Sequence, residues 1–205
     1  IAPSTPANER ERIKDLYSYS ILDTLSEEDF DNLTTIASEI CDTNISLISL
    51  VDKERQWFKS THGLNATETE RQYSFCAHAL NAPDDVFIIP DARRDERFVD
   101  NPLVAGDPNI VFYAGVPLVS ESGFPLGTLC VIHDAPKKLS PNQIKSLKAL
   151  SRQVMNLIEL KKKKNQLERV TERLDAKNKS LEKFVYSVAH DLRSPLNNII
   201  SVTEI

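Results

Sequence analysis

Two apolar runs decide the fold: Val111-Phe112-Tyr113-Ala114-Gly115-Val116-Pro117-Leu118-Val119 and Leu126-Gly127-Thr128-Leu129-Cys130-Val131-Ile132. They flank the turn-forming Glu121-Ser122-Gly123, and short apolar runs about a glycine-containing connection read as a hairpin. Working outward, Val86-Phe87-Ile88-Ile89 is a further short strand stopped by Pro90. Ile45-Ser46-Leu47-Ile48-Ser49-Leu50-Val51 is strand-like, and Arg55 to Thr61 is its partner after the turn Asp52-Lys53-Glu54. Ser74 to Asn81 and Asp95 to Phe98 read as short helical or loop insertions. Upstream the period becomes helical. Asn8 to Leu22 carries spaced Ile13, Leu16, Tyr17 and Ile21. A second helix starts at Ser26 as N-cap, with acids in its first turn and an apolar face of Phe30, Leu33, Ile36, Ala37 and Ile40. Helices, then five or six strands, then a long exit helix form an α+β layout.

The exit helix has a complete start signal. Ser140 fits the N-cap, Pro141 the first helical position and Gln143 the third, while Leu139 and Ile144 are placed as a hydrophobic staple. No Gly or Pro follows until Pro195. A helix to about Ser194 would be roughly 80 Å long, far more than a globular domain needs. Leu160, Leu167, Leu174, Leu181 and Val188 recur every seventh residue as d positions; Leu157, Lys164, Thr171, Asn178, Val185, Leu192 and Ile199 then occupy a. That stripe predicts a parallel dimeric coiled coil, with a homodimer formed through the 144–202 helix. Lys163 with Glu168, and Lys177 with Glu182, are spaced for interchain g-to-e pairs. The polar middle of the seam suits a connector that changes register.

Composition sets limits. The chain has 205 residues, is 40% hydrophobic and carries a net charge of -5. It can build a core, and its acidity argues against a general nucleic-acid binder. Cys41, Cys76 and Cys130 are an odd, scattered set, which reads as buried thiols in a cytoplasmic chain and not as a disulfide framework. No apolar run approaches the ~18 residues of a membrane span, and no signal peptide is visible. The chain starts at Ile1 and stops within a helical pattern, as an excised piece of a longer protein would.

Near the end lies Phe184-Val185-Tyr186-Ser187-Val188-Ala189-His190-Asp191-Leu192-Arg193-Ser194-Pro195-Leu196. In the heptad register His190 is an f residue, facing away from the helix partner, and a neutral imidazole is a competent nucleophile near neutral pH. Pro195 removes one helical hydrogen bond and predicts a bend just past His190. This segment resembles the phosphoacceptor box of sensor histidine kinases. The resemblance implies that His190 takes the γ-phosphate of ATP, with Mg, and passes it to an aspartate on a response-regulator receiver domain. It implies that Asp191 assists as acid or base, a role that spacing alone does not give. The family often carries Thr or Asn where Ser194 stands, which leaves phosphatase activity open. No Gly-rich phosphate loop is present, so the chain alone is expected to be inactive and to hold no cofactor.

The remainder, about Asn8 to Leu160, resembles a GAF domain. The marks are Arg55-Gln56-Trp57-Phe58-Lys59-Ser60, Ser74-Phe75-Cys76-Ala77-His78-Ala79, Ile89-Pro90-Asp91-Ala92, Asp100-Asn101-Pro102-Leu103-Val104, Phe112 to Leu118 and Leu126 to Ile132. The resemblance implies an antiparallel sheet with helices on one face and a ligand pocket on the other, under the loops between residues 64 and 110. The division is then 1–7 as a loose segment, 8–139 as the GAF-like sensory domain, 140–183 as exit helix and coiled-coil linker, and 184–205 as the start of the phosphoacceptor helix. Candidate ligand-binding residues are Trp57, Phe58, Cys76, His78, Phe112 and Tyr113. The ligand itself is open: cyclic nucleotides, bilins, haem, small metabolites or nothing. No metal is expected, because Cys76 and His78 alone make a poor set. Two rivals stay in view. One is a non-catalytic GAF ligand-binding or dimerisation module with a degenerate His box. The other is a redox or metal sensor built on Cys76 and His78.

Overall fold

A computed structural model of the chain describes the backbone of residues 1–203 and the side chains of residues 1–189. Helices α1 (Glu9–Ser18) and α2 (Glu28–Cys41) come first. Strands β1 (Ile45–Val51), β2 (Arg55–His62) and β3 (Glu68–Glu70), helix α3 (Phe75–Ala79), strand β4 (Phe87–Ile89) and helix α4 (Pro102–Ala105) follow. Strands β5 (Phe112–Val119) and β6 (Pro125–His133) lead into helix α5 (Pro141–Thr203). Among the described residues, six strands form one antiparallel sheet in the order β3-β2-β1-β6-β5-β4. Strand β3 escaped the sequence pattern because Glu68-Thr69-Glu70 is a polar edge segment with no apolar alternation.

Successive strand residues point to opposite faces. On one face Ile48, Trp57, Phe112 and Leu129 pack with Leu16 of α1, Phe30 of α2, and Leu147, Val154 and Ile158 of α5. On the other, Leu47, Phe58, Tyr113, Cys130 and Ile132 pack with Phe75 and Cys76 of α3 and with Phe98 and Ile110 of the connecting loops. Both faces are therefore covered, and every residue of β1 is buried.

Helix ends differ from expectation where tertiary contacts compete with local signals. Helix α1 stops at Ser18, not Leu22. Ser20 takes a left-handed φ of 49°, and the chain turns to bury Ile21 in the core. Ser26 is not the N-cap of α2; Glu27 is, without a side-chain capping bond. The buried Lys59 ammonium sets this turn by donating to Leu25 O at 2.6 Å, Thr24 Oγ1 at 3.0 Å and the Glu27 carboxylate at 2.5 Å. Ile36 and Ile40 of α2 are exposed. The α5 start matches its sequence signature: Ser140 N donates to Gln143 Oε1 at 2.9 Å, and Gln143 N donates to Ser140 Oγ at 3.3 Å. Leu139 and Ile144 both join the helix-side core.

A buried Arg12 ties three elements together. Its guanidinium donates to Val51 O at 2.7 Å, to Pro125 O at 3.4 Å and to both Glu9 carboxylate oxygens at 2.7 and 2.8 Å. A charge this deep is tolerable only with such full pairing. Burial opposes ionisation of Glu9, but Arg12 and Arg71 together hold its carboxyl below the usual range.

The chain divides into two compact units, Ile1–Leu160 and Lys161–Ile205. In the second, the helix assignment runs through Pro195 to Thr203, beyond the end near Ser194 that the sequence suggested. One missing backbone donor does not end a helix whose neighbouring turns remain bonded. The heptad residues Leu167, Leu174, Leu181 and Val188 are 39% to 67% exposed in the single chain. Lys164 and Glu168 form an exposed i,i+4 pair at 4.0 Å.

Gly127 and Gly123 provide a contrast. A Cβ on Gly127 would sit 1.9 Å from Ser49 O and 2.8 Å from the Leu50 Cα, inside the sheet centre. At Gly123 a Cβ meets nothing within 4 Å, although φ is +83°. Urea unfolding of Gly127→Ala is expected to show a loss of about 3 kcal/mol or failure to fold. Gly123→Ala is expected to lose about 1 kcal/mol from backbone strain alone.

Candidate functional site

The loop-covered face of the sheet encloses a cavity of about 230 Å³. Its floor is Leu47 of β1, Gln56 and Phe58 of β2, Tyr113 of β5 and Ile132 of β6. Its walls are Leu64, Asn65 and Ala66 after β2, Thr69 of β3, Ser74 to Cys76 at the start of α3, and Leu103, Asp107, Pro108 and Ile110. The walls are held by side-chain caps. Ser74 Oγ accepts from Ala77 N at 3.0 Å and donates to Gln56 Oε1, which pins the start of α3 to β2. Asn101 accepts from Leu103 N at 2.9 Å to cap α4, and its amide donates to Tyr73 O at 2.9 Å. The lining is mainly apolar with a few polar groups, the usual character of a small-molecule site. It contains no Lys, Arg or His. The buried Thr69 hydroxyl oxygen has no protein partner.

Of the residues singled out in the sequence, Phe58, Cys76 and Tyr113 come together on this cavity. Trp57 and Phe112, their immediate neighbours on β2 and β5, lie on the opposite face in the helix-side core. Strand alternation separates each aromatic pair. His78 stands one turn along α3 from the cavity. Its ring is T-shaped to Phe98 at 4.8 Å and parallel to Phe87 at 6.2 Å. Burial, and then the nearby Arg97 charge, push its imidazole down to about 4. The side chains of His190 and Asp191 lie outside the described residues. Among the described residues no three His, Cys, Asp or Glu side chains gather as a metal site. The charged loop pairs locally, Arg93 with Asp91 at 2.8 Å and Arg97 with Asp95 at 2.6 Å.

Beside the cavity lies a polar cluster that the sequence did not announce. Cys76 Sγ is 3.9 Å from Cys130 Sγ. Tyr113 Oη donates to Cys76 Sγ at 3.2 Å and lies 3.4 Å from Thr128 Oγ1, which is 3.3 Å from Ser49 Oγ. Burial opposes ionisation of Cys76, but hydrogen bonds from Cys130, Ser49, Thr128 and Tyr113 outweigh it and bring the thiol down to about 6. Burial, and next the bond to Cys76, push Cys130 well above the ordinary thiol range. The available signal was alternation: Ser49, Thr128, Cys130 and Tyr113 all have the strand parity that faces the loops. Gln56, Ser74 and Thr69 were likewise missed as cavity residues.

His78 gives a pH prediction. Its unfolded value is near 6.5 and its folded value about 4. Between these values the unfolded chain binds more protons, so stability is full above 6.5 and falls as the pH drops towards 4. With screening at this half-buried ring, the loss is on the order of 1–2 kcal/mol. Imidazole NMR is expected to show His78 titrating near pH 4, and urea midpoints of His78→Gln should lose this part of the acid slope. A midpoint near 6.5 would contradict the burial argument.

A family model for the GAF domain matches residues 26–158. A cyclic di-GMP phosphodiesterase of Pseudomonas aeruginosa is 37% identical over 170 residues, covering 82% of this chain and 29% of that protein. The chain thus spans under a third of the curated relative. Two solved structures share the fold. The GAF domain of an Acinetobacter phosphoenolpyruvate-protein phosphotransferase has TM-score 0.52 and 18% identity, over 73% of this chain and 92% of that one. A domain of a putative two-component sensor histidine kinase protein of Sinorhizobium meliloti has TM-score 0.52 and 16% identity, over 70% and 96%. These findings overturn one expectation. The chain is not assigned as a protein-histidine kinase, because the curated relative is named a cyclic di-GMP phosphodiesterase and the matched segment is a GAF domain. No described helix is long and apolar enough to cross a membrane. With the family model covering most of the chain and the six-stranded sheet in place, this protein belongs to the GAF domain family.

Proposed function

We propose that the chain is a sensory input module in which the cavity holds a small ligand and α5 passes the bound state onward. The observation that carries this reading is the mainly apolar cavity itself, with Gln56, Asn65, Thr69 and Ser74 among its lining residues. A few polar groups in an apolar site fix the orientation of a small ligand. The ligand class follows from the lining. At about 230 Å³ the cavity is below the usual drug-sized range of about 300–1,000 Å³. With no lining cation and one carboxylate, Asp107, it suits a small, largely apolar molecule that carries no negative charge and has one or two hydrogen-bonding groups. A cyclic dinucleotide bearing two phosphates fits neither the size nor the charge, so the substrate in the curated relative's name is not carried over as the ligand.

Strand β5 supports the coupling. Tyr113 borders the cavity, while its neighbour Phe112 packs in the core that contains α5. Pro117 O accepts a hydrogen bond from Ser151 Oγ of α5 at 3.0 Å. A ligand that moves Tyr113 therefore acts on a strand that is bonded to the exit helix. The onward path is a parallel homodimer through the 144–202 helix, supported by the exposed heptad stripe. In the same reading His190 is a phosphoacceptor, assisted by Asp191, with a receiver domain as partner. The sequence motif supports this role, and the catalyst of phosphorylation is not placed on this chain.

Native mass spectrometry of the full-length protein tests the module. The expected species is a dimer carrying a small-molecule adduct, with Thr69→Val weakening retention about tenfold. A bare dimer whose melting temperature does not respond to small-metabolite extracts would sink the ligand reading, and a monomer would sink the relay. In the full-length protein, His190→Gln is expected to abolish acid-labile phosphate; retained label would remove His190 as acceptor.

A further inference from the structure

The Cys76–Cys130 pair has no role in the ligand reading, and its sulfurs are in contact. Two sulfurs that lie far apart in the sequence meet at 3.9 Å, one on α3 and one on β6. Disulfide formation needs about 2.05 Å, so closing the gap takes a movement of roughly 2 Å, within the reach of side-chain rotation and a small shift of a short helix. Cys76 also lines the cavity, whose volume of about 230 Å³ admits a molecule the size of hydrogen peroxide. Hydroxyls surround the sulfurs on the sheet side: Tyr113 Oη at 3.2 Å from Cys76, and Thr128 and Ser49 behind it. The third cysteine differs in each respect. Cys41 is buried in the helix-side core, away from the cavity, and burial pushes its thiol up to about 11.

We propose that Cys76 and Cys130 are a peroxide-oxidisable dithiol that closes reversibly into a disulfide beside the cavity. The Cys76 thiolate attacks one oxygen of the hydroperoxide. The O–O bond breaks, the leaving oxygen takes a proton and departs as water or an alcohol, and Cys76 becomes a sulfenic acid. Cys130 then attacks the Cys76 sulfur, the S–O bond breaks, and the hydroxyl leaves as water with the Cys130 proton. Two thiols are oxidised by two electrons, and one peroxide is reduced. The easier ionisation of Cys76 supports its assignment as the attacking sulfur and Cys130 as the resolving one. The bond would draw α3 towards β6. Because Phe75 and Cys76 of α3 form part of the cavity wall, oxidation would reshape the site where the ligand is proposed to sit.

The test treats the reduced full-length native protein with hydrogen peroxide, alkylates it after denaturation, and maps the peptides by mass spectrometry. The expected result is loss of two alkylatable thiols, a crosslinked peptide pair containing Cys76 and Cys130, and recovery with dithiothreitol. Cys41 should remain alkylated throughout. In Cys130→Ser, a dimedone adduct is expected on Cys76; in Cys76→Ser, Cys130 should stay reduced. Cys76 and Cys130 both still alkylatable after peroxide, a crosslink through Cys41, or a Cys76–Cys130 bond formed only in denaturant would each overturn the proposal. The wild-type peptide map decides the matter even if a variant fails to fold. A crosslink formed in protein that binds no ligand would uphold the dithiol and not the ligand reading.

Discussion

Strands β1 and β6 pair along the middle of the sheet, and nearly every side chain on both is sealed from solvent on one face or the other. Few polar groups are tolerated under that constraint unless each is bonded. Ser46 Oγ donates to Cys130 O at 3.1 Å, and Ser49 and Thr128 face each other at 3.3 Å. The same closeness leaves no room for a side chain at Gly127. Everything else is arranged about this two-sided slab. One face must be closed by α1, α2 and the start of α5, and the other by α3, α4 and the loops between them. The helix-side closure is dense, while the loop-side closure leaves a cavity.

That asymmetry has a physical basis. Long amphipathic helices present a continuous apolar stripe to a sheet and fill its grooves. The segments on the other face are helices of four and five residues joined by turns, too short to tile a surface. They are held by caps at Ser74, Asp91 and Asn101 and by local ion pairs, not by a common stripe. The consequence is a wall of short, separately capped pieces next to a sheet buried on both faces.

The route from cavity to exit helix also depends on the slab. A side chain on β5 pushes on a strand whose alternate residues pack with α5. Near the end of the first unit, buried Tyr19 donates its hydroxyl to Glu159 of α5, and Glu121 N of the β5–β6 turn lies 3.4 Å from the same carboxylate. Burial, together with the Glu159 carboxylate, raises the Tyr19 phenol far above its ordinary range, so it stays a donor. The N-terminal segment, the hairpin turn and the exit helix thus share one carboxylate. The curated relative shares this segment by sequence while the rest of its length lies outside the match. The matched part is the GAF segment, and the kinase expected from the terminal histidine motif is not upheld.

The sequence by itself determined the elements whose signals are local. Short apolar, strand-like runs bounded by turn residues marked β1, β2, β5 and β6. Ser140, Pro141 and Gln143 marked the start of α5 through a capping box that needs only neighbouring residues. The aromatics of Trp57-Phe58 and Phe112-Tyr113 all read as candidate pocket residues, although alternation sends one of each pair to each face. Tertiary structure alone decided which of them borders the cavity, because alternation fixes relative direction and not which face the helices cover. It alone decided that Lys59 displaces Ser26 as the organiser of the α2 start, and that Arg12 is a buried tie and not a surface charge. It also brought together Cys76 and Cys130, which are 54 positions apart in the sequence. Contacts of that range depend on how the sheet closes, and chain closure leaves no mark in the local pattern of residues.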